Sequence, residues 1–301
     1  MVIVLSGATS FLGQSLINEL AKNKNNLIYC LIRNESKNKI INKFSNVIII
    51  DFDLRDFQED FFPLQQADVF FHFGWLGSGP DGRKNKNIQF SNINISKRIL
   101  NIAKKIGVKE FVFSGSQAEY GKLNYVIEEN ISCNPISYYG KAKVEFDEYA
   151  KDFCLNNNIS YLHLRIFSVY GKGDHSSSLV SNCIRIFNNG GEIKLGPCTQ
   201  LWNYLFIDDF TTIVIKLMII FYNNIIQDVI NIASNDTIPL RDYINRMYKC
   251  SLKKGSFIFS DYNPNPEGIV DLNPSISKMI SYIGEYNFIT FENGLKKMKE
   301  N

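Results

Sequence analysis

Histidine and tryptophan are scarce in this chain, cysteine is scattered, and no long apolar run occurs; each shortage removes a class of function. The six cysteines, Cys30, Cys133, Cys154, Cys183, Cys198 and Cys250, form no C-x-x-C pair and have no histidine at a ligand spacing. A zinc module or paired-thiol redox motif is therefore not expected, nor any other metal site, and the thiols read as reduced and mostly buried. Lys plus Arg number 33 against 30 Asp plus Glu, a net charge of +3 with no basic block interleaved with aromatics. That balance argues against a nucleic-acid partner. The longest greasy stretch, Ile213–Tyr222, is broken by Lys216 and falls short of the ~20 residues a membrane span needs. Met1–Ser6 carries no basic stretch ahead of its apolar run, and a glycine turn follows, so the chain reads as not addressed for export. A cytoplasmic protein without membrane contact is the expectation.

What the chain does have is the composition of a packed globule. With 301 residues, 45% hydrophobic and 21% charged, 19 Gly and 8 Pro, it suits neither a disordered, a collagen-like nor a coiled-coil protein. The length fits one large α/β domain or a nucleotide-binding core with a smaller lobe. Apolar runs at Val2–Leu5, Leu27–Ile32, Val47–Asp51, Val69–Phe73, Phe111–Ser114 and Tyr161–Phe167 alternate with helical patterns at Phe11–Lys22, Asn87–Ile106 and Ser137–Asn157. Such alternation predicts βαβ units, hence an α/β fold with a doubly wound parallel sheet of the Rossmann type. After Phe167, Gly, Ser and Asn thicken, and helical stretches near Asp208–Tyr222 and Leu240–Cys250 flank one more strand, Val229–Ile232. The expected division is a dinucleotide-binding domain over 1–168 with a returning segment near 203–234, and a substrate-binding lobe over 169–301, mainly 169–202 and 235–301.

The segment from Val2 through Gly7, Thr9, Ser10, Phe11 and Leu12 to Gly13 places a buried strand, a tight turn and a helix start in the order that dinucleotide binding requires. Gly7 permits the turn, the first amides of the helix face a pyrophosphate, and Gly13 lets helix and strand approach. Ser10 stands where the middle glycine of the pattern would be, and its hydroxyl is a further candidate for the phosphate. An acidic residue after the second strand would bind a ribose 2′-hydroxyl; here the nearest charge is Arg33, followed by Asn34, which favours NADP(H) with NAD(H) as the other cofactor. Asp53 and Leu54 follow the third strand where adenine would lie. Phe73 and Gly74, before Trp75, follow the fourth strand where backbone would pass under the cofactor.

Tyr139 and Lys143 are four residues apart, so one helix face carries a phenol and an ammonium. A free tyrosine is a weak acid–base near neutral pH, but an adjacent cation stabilises the phenolate and draws its pKa toward the working range. Tyr138 offers no rival, because Ala142 lies four residues on. Ser116, in Ser114-Gly-Ser-Gln-Ala-Glu-Tyr120-Gly121, ends the fifth strand at the carboxyl edge, where a hydroxyl can hold a substrate oxygen.

The glycine turn, the Ser-x-x-x-Tyr-Gly element, the Tyr-x-x-x-Lys pair and the run Leu164–Gly171 together resemble the extended short-chain dehydrogenase/reductase family of NAD(P)-dependent sugar-nucleotide epimerases and dehydratases, over nearly the whole chain. The resemblance implies that Tyr139 is the proton donor and acceptor, Lys143 the ribose-binding cation that tunes it, and Ser116 the hydroxyl orienting the sugar. It gives Asn92 the place of the helix asparagine behind this triad, with Asn94 the near competitor. Gln117, Ser168, His175, Trp202 and Asn203 are the candidate substrate contacts, and the resemblance implies a homodimer formed through the helices Asn87–Ile106 and Ser137–Asn157.

Within the family, dehydratases carry an acid and a carboxylate where this chain has Gln117 and Ala118, and Glu119 comes one place too late and would face away from an extended backbone. The wording around Ser116 and along Gly196–Asp209 is similar to nucleotide-deoxysugar 4-ketoreductases, in which hydride reaches a C4 ketone while the tyrosine protonates the alkoxide. A sugar-nucleotide 4-epimerase is the alternative, and a non-catalytic dinucleotide-binding protein a remote one. Trp202 stands where many relatives have a diphosphate-binding arginine, leaving Arg165, Arg185 and Arg241 as substitutes or as surface residues. His72 and His163, in apolar strands, read as satisfied core residues; for His175 in its loop, substrate contact and solvent exposure stay equally open.

Overall fold

Strands buried on both faces read as continuous apolar runs because helices cover each side of a parallel sheet, and this governs the first half of the molecule. The computed structural model describes residues 1–33, 44–59, 62–261 and 270–299. In chain order the elements are β1 (Val2–Ser6), α1 (Phe11–Leu20), β2 (Leu27–Ile32), β3 (Val47–Asp51), β4 (Val69–His72), α2 (Pro80–Arg83), α3 (Lys86–Lys105), β5 (Glu110–Ser114), a 3₁₀ turn (Gln117–Glu119), α4 (Tyr138–Asn156) and β6 (Ser160–Ile166). There follow β7 (Ser168–Tyr170), α5 (Leu179–Asn189), β8 (Glu192–Leu195), β9 (Leu201–Phe206), α6 (Ile207–Asn223), β10 (Gln227–Ile232), β11 (Thr237–Pro239), α7 (Leu240–Lys249), β12 (Ser256–Phe259), α8 (Ser277–Ile283) and α9 (Phe291–Lys297).

Seven strands form one sheet in the order β10-β6-β5-β4-β1-β2-β3. The pairs β1–β2, β1–β4, β2–β3, β4–β5 and β5–β6 all run parallel. This is the doubly wound Rossmann sheet. Winding reverses between β1 and β4, and at such a switch point a crevice opens at the carboxyl ends of the strands. β4 and β6 are buried at every position.

Cross-strand register explains where the core aromatics and two histidines go. Phe70, Phe111 and Tyr161 are register partners across β4, β5 and β6, and their rings stack at 5.7 and 6.5 Å. Two residues on, on the same face, His72, Phe113 and His163 make the next rung, at 6.1 and 5.2 Å. Phe146 of α4 packs edge-on to Phe113 at 4.7 Å. The α3 helix is capped by Asn85, whose side chain accepts from the Ile88 amide, and Gly107 beyond its end takes φ +67°.

The chain divides into two compact units. The first comprises Met1–Gly121, Ser132–Ile166 and Thr211–Ile230. The second comprises Lys122–Ile131, Phe167–Phe210 and Asn231–Asn301, with a three-stranded sheet β11-β9-β7 and a two-stranded sheet β12-β8. Its short segment Lys122–Ile131, which the sequence did not set apart, is tied in by the Ile127 amide on the Asn273 carbonyl at 2.8 Å and by Glu129, which accepts from the Asn231 amide at 2.8 Å. Its core is aromatic: Tyr170, Tyr204, Tyr243 and Phe291 lie with ring centroids 4.7–5.8 Å apart. Among the described residues no helix is long and apolar enough to cross a membrane, and no cluster of His, Cys, Asp and Glu is placed to hold a metal ion.

Candidate active site

The turn after β1 is built by close approach. Gly7 has φ +76°, and a Cβ there would stand 2.5 Å from the Phe73 carbonyl carbon and 2.6 Å from the Gly74 nitrogen. A Cβ on Gly13 would run into the Gly7 carbonyl oxygen. Only glycines let β1, the first turn of α1 and the end of β4 converge here, so this space is a cradle that any side chain would fill. Ser10 caps α1: its Oγ accepts from the Gly13 amide at 3.1 Å, which leaves the O–H as the group that could donate to a phosphate. Ser6 ties the two strands at the switch point. Its Oγ lies 2.8 Å from His72 Nδ1 and accepts from the Gly74 amide at 3.2 Å. His72 Nε2 meets Ser96 Oγ at 2.9 Å, and burial, with Lys143 nearby, drives its pKa down to about 3, so this histidine is a neutral, satisfied core residue.

Around the adenine end, Leu54 reaches toward Gly74, where an added Cβ would be 2.5 Å from Leu54 Cδ1. Asp53 is gripped by Arg55, Nε at 3.0 Å from both carboxylate oxygens, which holds its carboxyl below the usual range; Arg33 adds to the effect. Arg33 therefore has a carboxylate in its surroundings. Asn34 lies outside the described residues.

Ser116, Tyr139 and Lys143 come together. Gly140 makes this possible, since a Cβ there would collide with the Ala118 carbonyl oxygen and push α4 off the 3₁₀ turn. The Ser116 hydroxyl accepts from the Ala118 amide at 3.2 Å and is near enough to the Tyr139 phenol to favour its ionised form. Lys143 is buried one helical turn on, donating to the Ser114 carbonyl at 2.6 Å, with its Nζ 3.7 Å from the Trp75 ring centroid and 4.5 Å from that of Phe113. Burial lifts the Tyr139 pKa above its ordinary value and pushes that of Lys143 well below its own. Desolvation is the larger influence on Tyr139, opposed by Arg83, whose guanidinium lies 4.5 Å over its ring.

Glu119 corrects a second expectation. The backbone after Ser116 is a 3₁₀ turn rather than extended, so the carboxylate folds back and accepts the Ser116 amide at 2.7 Å. It is fully buried, paired with Arg165 Nε at 2.9 Å and with His163 Nε2 at 3.2 Å. His163 Nδ1 stands 2.7 Å from Asp147 Oδ1, which also accepts from the Tyr161 hydroxyl at 2.9 Å. Two carboxylates raise the His163 pKa to about 9 despite its burial, so this core histidine is a cation, and Arg165 is committed to Glu119 rather than to a diphosphate.

Asn92, not the exposed Asn94, is buried. Its Oδ1 accepts from the Leu76 amide at 2.9 Å and its Nδ2 donates to the Leu76 and Ile88 carbonyls, so it fixes the segment after β4 rather than touching Tyr139. Gln89 does the same downstream, donating to the Gly77 and Gly82 carbonyls at 2.9 Å and accepting from Trp75 Nε1 at 2.8 Å. Gln117 is half-buried beside Ser116. In the second unit Ser168 is half-buried and His175 exposed, its Nδ1 2.6 Å from Ser177 Oγ. Asn203 is buried and committed to the chain: Nδ2 donates to the Ser234 carbonyl and Thr237 Oγ1, both at 2.9 Å, and Oδ1 accepts from the Ser234 amide. Trp202 keeps an enclosed indole N–H without an acceptor among the described residues.

A Rossmann sheet with a glycine cradle at its switch point and a Ser–Tyr–Lys constellation at its carboxyl edge defines a class of nicotinamide-cofactor protein. The chain belongs to the NAD dependent epimerase/dehydratase family, which it matches over residues 3–233. It is 26% identical over 246 residues, 74% of this chain and 70% of the other, to an ADP-L-glycero-D-manno-heptose-6-epimerase of Cupriavidus pinatubonensis. Its fold is that of a UDP-glucose 4-epimerase from Thermotoga maritima, solved with UDP-glucose (TM-score 0.87, 21% identity, 99% of this chain and 97% of that one). A UDP-glucuronic acid 4-epimerase from Bacillus cereus, solved with NAD, is similar at TM-score 0.82 and 22% identity, covering 99% and 97% of the two chains.

Proposed function

We propose that the protein is a nicotinamide-dependent oxidoreductase acting at C4 of a nucleotide-linked sugar, reducing the ketone of a 4-keto-deoxysugar in surface-polysaccharide biosynthesis. The observation that carries this reading is the meeting of Ser116, Tyr139 and Lys143 in one site whose nearby carboxylate, Glu119, is consumed by Ser116, Arg165 and His163. Elimination of water needs a free acid and base beside the sugar, and the commitment of Glu119 speaks against dehydration. Redox chemistry at C4 needs, besides a hydride from a reduced nicotinamide, a hydroxyl to hold the oxygen and a phenol to exchange its proton.

The cradle fits a dinucleotide. Gly7, Thr9, Ser10, Phe11, Leu12 and Gly13 would hold its pyrophosphate through backbone amides, Asp53 and Leu54 its adenine side, and Phe73 and Gly74 the crossing between halves. The bound nicotinamide would supply or accept the hydride. Arg33 lies beside Asp53, which Arg55 already pairs, so the local charge still suits a 2′-phosphate and NADP(H) stays the candidate read from Arg33, with NAD(H) the other. Ser116 orients the C4 oxygen, and Tyr139, protonated at neutral pH because it is buried, delivers a proton to it. Gln117, Ser168, His175 and Trp202 are the proposed sugar-nucleotide contacts; Asn203 is dropped from that group. The homodimer through α3 and α4 stays part of the proposal, with Tyr138 and Leu155 of α4 exposed.

A second reading, a 4-epimerase, fits the relatives named above, all of which are nucleotide-sugar epimerases and two of which act at C4. One experiment separates the two. Purified protein is mixed with NADH or NADPH and a panel of nucleotide-linked 4-keto-6-deoxy sugars while reduced-nicotinamide absorbance is followed. Stoichiometric loss with one sugar, abolished by Tyr139→Phe with cofactor binding retained, is the expected result. Interconversion of a nucleotide sugar without added cofactor would establish the epimerase instead, and neither activity would overturn the proposal.

A further inference from the structure

We infer that Asp147 and His163 are positioning residues for the Ser116–Tyr139 pair: through Glu119 they tie the helix that carries the phenol to the turn that carries the hydroxyl. The effect on turnover rests on the roles given above to Ser116 and Tyr139; the tie itself does not. Tyr139, Lys143 and Asp147 follow one another at steps of four residues along α4, so one face of the helix carries all three. Asp147 Oδ1 is 2.7 Å from His163 Nδ1, His163 Nε2 is 3.2 Å from Glu119, and Glu119 accepts the Ser116 amide at 2.7 Å. The line leaves α4 about two turns beyond the phenol, passes through β6 and returns to the site behind the hydroxyl.

The sheet builds this line in. His163 is the register partner of Phe113, and Arg165, two residues on, faces the same way. Between β5 and Ser116 stands Gly115, where a Cβ would collide with His163 Nε2 and Glu119 Oε1, so the absence of a side chain lets imidazole and carboxylate meet past the strand end. Both carboxylates are held from two sides: Glu119 also by Arg165 Nε at 2.9 Å, Asp147 also by the Tyr161 hydroxyl at 2.9 Å. Ser116 Oγ accepts from the Ala118 amide, which leaves its O–H to donate to a substrate oxygen. The direction of that O–H is set by the turn, and a misplacement of about 1 Å at a reacting centre costs on the order of a hundredfold in rate.

Two carboxylates face two cations for as long as His163 keeps both ring protons. A neutral imidazole donates from one nitrogen, so when His163 loses its charge, at about pH 9, Asp147 or Glu119 loses a donor and the tie slackens. The groups facing His163 are Asp147 of α4, Glu119 of the 3₁₀ turn, and Tyr161 and Arg165 of β6. Cys133, before α4, lies near Arg165, Glu119 and Asp147, and Lys143 feels the charge of Glu119. Burial pushes the Cys133 thiol up to about 11 and the Tyr161 phenol well above its ordinary range, so neither ionises before His163 does. His72, on the same rung beyond Phe113, is neutral throughout. Lys143, whose pKa burial lowers, keeps its own titration when His163 is replaced, so substitution separates the two.

The test follows the Ser116 amide by NMR of protein labelled with ¹⁵N-serine, its resonance assigned by its loss in Ser116→Ala. In the wild type it moves together with the His163 imidazole, with a midpoint at about pH 9. Asp147→Asn draws both midpoints down by about one pH unit, and His163→Gln abolishes that movement of the amide. On the nucleotide-linked keto-sugar of the proposed reaction both variants lose kcat roughly tenfold while KM and dinucleotide binding change less than about twofold, and Asp147→Glu, which keeps the charge, retains most of the rate. A Ser116 amide that ignores the His163 titration overturns the inference, as does a parallel loss of kcat, KM and dinucleotide binding, the mark of general loosening. Should His163→Gln fail to fold, Asp147→Asn at the partly exposed end of the line decides by the same two readouts. If the wild type turns over no keto-sugar, the functional reading falls and the amide titration alone tests the tie.

Discussion

Glu119 is the side chain on which the site's geometry hangs. Its carboxylate closes the turn through the Ser116 amide and balances two buried cations. Removing one member of a buried ionic set leaves the others uncompensated, which costs about 3–5 kcal/mol. Glu119→Ala is therefore expected to lower the urea midpoint strongly, and the His163 imidazole, read by NMR, should titrate below its present value of about 9. A variant with unchanged stability and unchanged His163 titration would show the set to be unimportant. Ser116, Tyr139 and Lys143 were legible in the sequence because strand end and helix spacing alone bring them near. Arg83 and Glu119 were not. Arg83 reaches Tyr139 from a separate segment, and Glu119 depends on a 3₁₀ turn whose partners, Arg165 and His163, lie 46 and 44 residues away.

Among elements, β1 and α1 show how a local pattern fixes a contact. Gly13 sits in the first turn of α1 with the Gly7 carbonyl where its Cβ would be, while its amide is held by Ser10. Gly13→Ala must push helix from strand, spoiling both the cap and the cradle. It is expected to weaken dinucleotide binding at least tenfold by titration calorimetry, about 1.4 kcal/mol or more, with the helical circular dichroism signal kept. Undiminished binding would mean the cradle does not hold the dinucleotide. Apart from the four-residue α2, the strands and helices of the first unit were readable because they are apolar runs or amphipathic stretches. Elements such as β7, β8 and β11, of three or four residues among Gly, Ser and Asn, were not, because strands that short carry no period and are held by pairing across the chain.

For the molecule as a whole, pH sets how much of this packing survives, and one residue of the sheet works against it. Glu110 opens β5 fully buried, and neither carboxylate oxygen has a hydrogen-bond partner among the described residues. Burial raises its pKa well above 4.5, so the folded protein keeps it neutral while the unfolded chain ionises it. A raised carboxyl pKa means stability that is complete below the unfolded value and declines as pH climbs toward the folded one, by about 1.4 kcal/mol per unit in that window. His163 acts in the same direction at higher pH: raised from 6.5 to about 9, it contributes below 6.5 and ceases to as pH rises through about 9. Asp147, whose pKa is lowered beneath 3.8 despite burial, works on the acid side, where its contribution is lost as pH falls. Wild-type stability should therefore decline from mildly acidic toward alkaline pH. Glu110→Gln cannot ionise and should flatten the decline above pH 4.5, leaving the His163 portion in place. Urea midpoints of both proteins between pH 5 and 9 measure this directly, and parallel curves would show that Glu110 is ionised and compensated in the folded state.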